Sequence, residues 1–210
     1  MEDVLVRMSL RWLSTGLAIL LVVVALSWWL GIAAYLTHLR ASATALINSA
    51  RGIRTTNDAE REIASWRERS RKDFWEVSDH PGGDHNYDAQ ITNVAVARFR
   101  ILQPTEVIVS ITMRDGKLRC VTVIEATGWH PVASVFIQEW FGEDVSNGFH
   151  VGSNRKPSTA TVEFPSSKPE VQRRKAFAVN TDCLVKPGGC KSAEDILPGV
   201  WQLEAGVGPE

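Results

Sequence analysis

No sign of charge dominates this sequence of 210 residues: 23 Lys and Arg stand against 24 Asp and Glu, a formal net charge of −1. Without a basic excess to neutralise phosphates, the composition gives no electrostatic footprint for nucleic acid. Short catalytic signatures are missing as well. There is no Gly-x-Ser-x-Gly elbow, no phosphate-binding glycine loop, no dinucleotide fingerprint and no internal repeat. What is present is the balance of a folded protein, 44% hydrophobic and 22% charged, with the apolar residues placed unevenly.

From Leu10 to Leu30 the only polar side chains are Arg11, Ser14, Thr15 and Ser27. About 20 such residues at about 1.5 Å each cross a bilayer core of about 30 Å. Trp12 near one end and Trp28 and Trp29 near the other suit the lipid–water interface. Arg7 and Arg11 before the span outweigh Arg40 after it, which favours a cytoplasmic N-terminus and an exported C-terminal domain. The rival reading is a signal peptide cleaved at the small-residue pattern Ala41-Ser42-Ala43. No lipid-acceptor Cys follows the span.

Ile32, Leu36, Leu39, Ala43, Leu46, Ala50 and Ile53 then recur at alternating spacings of four and three, with Gly and Pro absent from Ile32 to Arg51. This heptad seam either packs a continuing helix on its own domain or joins a parallel homodimer. A second helix is expected after an N-cap at Thr56 or Asn57, with Ile63, Trp66, Ser70 and Phe74 as its inner stripe.

Beyond Tyr87 the period becomes two. Val107, Val109, Ile111 and Met113 share one strand face, and Asp115-Gly116 joins this run to residues 117–125 as a two-residue hairpin. Further strands are expected at residues 91–102 and 158–164, and residues 132–141 read as a strand or a short helix. Cys120 is expected on the hairpin face of Leu118 and Ile124, free and buried. Two capping boxes follow. Ser167 with Glu170 would start a helix to about Asn180 that buries Val171 and Ala178, and Ser192 with Asp195 would start a short final helix. The fold class is therefore α+β, an antiparallel sheet flanked by helices behind a transmembrane helix and stalk. The divisions are a cytoplasmic N-terminus at 1–9, the span at 10–30, the stalk at 31–54, an exported domain at 55–204 and a frayed tail at 205–210.

Cys183 and Cys190 bracket a Pro-Gly-Gly turn, and a disulfide is expected between them in an oxidising compartment. Zinc would need better complements than Asp182 and Glu194, and Cys-x-x-Cys spacing is absent. The residues from Arg173 to Asn180, with Cys183, Leu184, Lys186, Gly189, Cys190, Leu197, Pro198 and Trp201, resemble the C-terminal signature of an uncharacterised family of small bacterial proteins with an N-terminal anchor and an exported domain. The resemblance covers the anchor and about the last forty residues, implies export and the disulfide, and implies no activity.

One polar cluster stands out, Asp79 to His85 around Pro81-Gly82-Gly83, where His80, Asp84 and His85 are candidate ligands of zinc or a similar cation. Such residues are also common in exposed turns. His130 and His150 lack the base-and-orienter context of a hydrolase. Trp129, Trp140 and Phe141 are candidate partner contacts, with core packing as the alternative. The function expected is a single-pass, membrane-anchored binding or structural module at the cell envelope, without a cofactor. Its expected partners are the lipid bilayer, an envelope protein and, through the 32–53 seam, a second copy. The alternative is an exported metal-binding or hydrolytic enzyme using the 79–85 loop.

Overall fold

The computed structural model describes residues 2–53, 59–71, 74–80, 84–100, 102–128, 130, 132–142, 150–152 and 158–203, with the backbone alone at 2–14, 59, 74–80, 84 and 150. The chain forms two compact units, Met1–His38 and Leu39–Glu210, and helix α1 (Glu2–Arg51) contributes to both. In the first unit the large side chains from Leu17 to Leu30 stand outward, Leu17 at 58% and Trp29 at 68% exposed. A helix apolar on every face and packed on none is suited to lipid rather than to water. The segment Thr15–Arg51 is long and apolar enough to cross a membrane, a property that signal sequences share.

In the second unit the heptad seam is spent on the protein's own core. Leu39, Ala43, Leu46, Ala50 and Ile53 are all buried there, the intramolecular alternative of the two that the spacing allows. Helix α2 (Ala59–Arg69) adds Ile63 and Trp66, and the Trp66 indole N–H donates to Ser49 Oγ of α1 at 3.0 Å. Ser70 is buried as expected, whereas Phe74 opens a strand instead of ending the helical stripe. The expected N-cap at Thr56 or Asn57 lies outside the described residues.

The described residues form a sheet of seven strands, β1 (Phe74–His80), β2 (Asp84–Thr92), β3 (Thr105–Arg114), β4 (Lys117–Thr127), β5 (Ala133–Trp140), β6 (His150–Gly152) and β7 (Thr159–Pro165). Their order is β1-β2-β3-β4-β5-β7-β6. All neighbours are antiparallel except β5 and β7, so the sheet is mixed rather than purely antiparallel. The chain runs out to the edge as β6 and returns between β6 and β5 as β7.

The β3–β4 hairpin has the register that its alternation demands: Val107, Val109, Ile111 and Met113 are all buried. Asp115 and Gly116 take φ of 51° and 71°, the two left-handed positions of a primed turn. A bulge follows, because Thr112 pairs with Cys120 and Met113 with Leu118. It puts Leu118 and Cys120 on opposite faces, which corrects the expectation that they share one.

Other boundaries shift for identifiable reasons. The strand expected at residues 91–102 ends at Thr92, where Asn93 turns the chain into a single helical turn, α3 (Val94–Ala97). Residues 79–85, expected as a loop, are instead taken up largely by the ends of β1 and β2. Helix α4 (Glu170–Ala176) lacks the expected Ser167 box, because the Glu170 carboxylate accepts from Arg173 Nη1 at 3.0 Å and Arg174 Nε at 3.1 Å instead of reaching back. It stops short of Asn180, whose Oδ1 accepts from Asp182 N and whose backbone N–H donates to Ile196 O at 2.7 Å. Arg173 and Ala176 face inward, while Val171 and Ala178 are exposed. The box of Ser192 and Asp195 forms in full at the start of α5 (Ala193–Ile196).

Candidate functional site

Alternation sorts the sheet into two faces. One carries Ala89, Val109, Val123, Ile137 and Val162 at matched register, all buried in the core with the seam of α1 and with α2 and α5. The opposite face carries the row Ile108, Ile124 and Phe136 on three adjacent strands, each half-buried, with Trp140 further along β5. Ser110, Thr122 and Gln138 form the neighbouring row. Of the three aromatics singled out from the sequence, Trp140 lies on this outer face, Phe141 is 3% exposed in the core, and Trp129 lies outside the described residues.

A cleft of about 550 Å³ opens where α2 crosses the end of the sheet, lined by Glu60, Arg67, His85, Tyr87, Asp115 and Gly116 among others. His85 and Tyr87 reach it from the inner face of β2, and Glu60, Ala64 and Arg67 follow one another at helical spacing on α2. The Arg67 guanidinium lies 5.5 Å from the centroid of the Tyr87 ring, a cation–π contact. The strand register divides the proposed ligand set, with His80 opposite Asp84 and Asp79 opposite His85. Residues 84 and 85 are consecutive on β2, and consecutive strand positions alternate between faces. Among the described residues no group of three or more His, Cys, Asp or Glu is placed to hold a metal ion.

A connected set of polar groups lies under the cysteine loop. Cys183 and Cys190 form a disulfide with their Cα atoms 5.2 Å apart, and both residues are buried. Cys183 sits in the 3-10 turn Thr181–Leu184, which buried side chains tie to the sheet. Asn93 Nδ2 donates to Leu184 O at 2.7 Å and to Gln103 O at 2.9 Å, and its Oδ1 accepts from Thr105 N at 2.7 Å. The Thr105 hydroxyl lies 3.3 Å from each of Cys183 O, Gln103 O and Thr127 Oγ1, and its one proton is shared among these acceptors. Gly189, at φ 62°, packs so closely that a Cβ there would stand 2.3 Å from Thr127 Cγ2. On the outside, Asp182 pairs with Arg40 of α1 at 2.6 Å, and the Thr181 hydroxyl bonds that of Thr44 at 3.0 Å.

Two carboxyl groups on the core face of the sheet meet opposite fates. Glu139 of β5 is fully buried and receives a two-pronged bond from Arg173, at 2.5 and 2.9 Å. Desolvation opposes the Arg173 charge, but the bond and charge of Glu139 outweigh it and raise the guanidinium pKa. Glu125 of β4 is 1% exposed, and neither of its oxygens has a hydrogen-bond partner. Burial, and secondarily the charge of Asp182, push its carboxyl well above the usual range. Both were visible in the sequence as acids in phase with apolar strand positions, Glu125 with Val121 and Val123, Glu139 with Val135 and Ile137. Cys120, free and buried as expected, has its thiol pushed up to about 11, first by burial.

No protein-family model matches the chain, and no curated protein or solved structure is significantly similar to it.

Proposed function

We propose that this chain is a membrane-anchored, extracytoplasmic binding module that presents the outer face of its sheet to a partner protein at the cell envelope. The observation that carries the reading is the row Ile108, Ile124 and Phe136, large apolar side chains at the half-exposed positions where alternation would normally put polar ones. The apolar helix supports attachment to a membrane, and the buried disulfide supports an oxidising compartment. Photocrosslinking in native membranes tests the reading. A benzophenone residue at Phe136 or Ile108 should capture one defined protein, and one at Lys175, exposed on α4, should not. Identical patterns from all three positions would refute the outer-face assignment.

The second reading rests on the cleft at His85. A cation would be held there by His85 with Glu60 or Asp115, against the charge of Arg67, which stacks on Tyr87 in the same cleft. Stoichiometric zinc uptake in equilibrium dialysis, abolished by His85→Ala, would favour it over the first.

A further inference from the structure

Glu125 occupies an interior position that has no place for a charge. On the core face of β4 it stands between Val107 of β3 and Val135 of β5, each no more than 1% exposed, and both its oxygens lack a partner. Its counterpart Glu139 shows what an ionised carboxylate needs on this face, a two-pronged arginine, and Arg173 is already committed there. The charged group acting on Glu125 is Asp182, a like charge, from the 3-10 turn. Asp182 is itself paired to Arg40 of α1. A neutral carboxylic acid is the form that this environment accepts.

The turn carrying Asp182 is held to the sheet by the bond from Asn93 to Leu184 O, with the Thr105 hydroxyl in reach of Cys183 O. Thr105 is bonded in turn to Thr127, two residues along β4 from Glu125 and on the same face. We infer that Glu125 is a buried proton switch beneath the disulfide-closed segment. Neutral, it lets the turn Thr181–Leu184 seat on the sheet, and ionised beside Asp182 it unseats that turn together with Cys183 and Cys190. The step is a simple ionisation, in which the carboxyl O–H proton passes to solvent and no other bond is made or broken. Burial and the neighbouring carboxylate both move this event above the pH at which surface carboxylates ionise. A domain outside the cytoplasmic membrane would meet such changes in its medium directly.

The experiment is amide hydrogen exchange on the full chain in lipid nanodiscs, with rates corrected for intrinsic base catalysis. Protection over residues 181–190 is expected to fall about tenfold or more between about pH 5 and pH 9. In E125Q the same segment should keep constant protection, and in D182N, which removes the like charge that raises the Glu125 carboxyl, the fall should move to lower pH. Constant protection in the wild type, or an unchanged fall in E125Q, overturns the inference. If E125Q does not fold, infrared spectroscopy of wild-type protein carrying ¹³C-glutamate decides instead. A protonated-carboxyl carbonyl band persisting at neutral pH and vanishing as protection falls supports the switch, and its absence at neutral pH refutes it.

Discussion

Arg173 and Glu139 are the residues whose loss should cost most. Removing the guanidinium in Arg173→Ala strands a fully buried carboxylate, an error worth about 3–5 kcal/mol. Chemical denaturation should show that loss, and it should show a much smaller one for Arg173→Met combined with Glu139→Leu, which removes both charges. Glu125 adds a pH dependence whose sign is fixed by the direction of its shift. A carboxyl raised in the folded state holds its proton more tightly there than in the unfolded chain. Its contribution is therefore full below about pH 4.3 and is lost as pH rises to the folded pKa, at up to about 1.4 kcal/mol per pH unit. Stability curves of wild type and Glu125→Gln should diverge over that window. Cys120 makes the simplest test. With a thiol pKa of about 11 and 2% exposure, it should resist maleimide at neutral pH in the folded chain and react once the chain is unfolded.

At the scale of elements, Asn93 decides where a strand ends. Its side chain supplies three bonds to groups that no neighbouring strand satisfies, Thr105 N–H, Gln103 O and Leu184 O. Asn93→Ala should cost about 1–3 kcal/mol and raise exchange at Leu184 and Thr105 together, since it leaves buried partners unmade. Asn93 also marks the limit of what local pattern can reveal. The β3–β4 hairpin was legible because its alternation and its Asp115-Gly116 turn are contained within 23 residues of chain, from 105 to 127, that pair with each other. The end of β2 was not, because Leu184 lies 91 residues from Asn93. The Ser167 box failed for a related reason: Glu170 had two arginines within one turn competing for it. In the candidate sites, His85 was legible as a residue, but its cleft was not, since α2 and the β3–β4 turn form the other wall. The outer apolar row was hidden because Ile108, Ile124 and Phe136 meet only through register.

At the scale of the whole molecule, the question is whether the chain keeps its N-terminal helix. Composition allowed cleavage at Ala41-Ser42-Ala43, and the fold argues against it. Cleavage after Ala43 would take away Leu39, 8% exposed, and Ala43, fully buried, from the core of the second unit. It would also remove Arg40, the partner of Asp182, and leave a solvated gap against the sheet. A domain that uses residues 39–53 as a core helix needs α1 intact through that site. Mass spectrometry of the protein isolated from its own cells should therefore find peptides that include Leu39 and Ala43 joined to Thr44, and no chain that begins at Thr44. The protein should also stay with the membrane pellet in alkaline carbonate. Val22→Arg with Leu26→Arg, each adding about 2.5–3.5 kcal/mol to the insertion free energy, should release it. If a chain starting at Thr44 were found, packing of the 39–53 helix could not be what seats the sheet, and the core assignment of Leu39 and Ala43 would fall with the anchor.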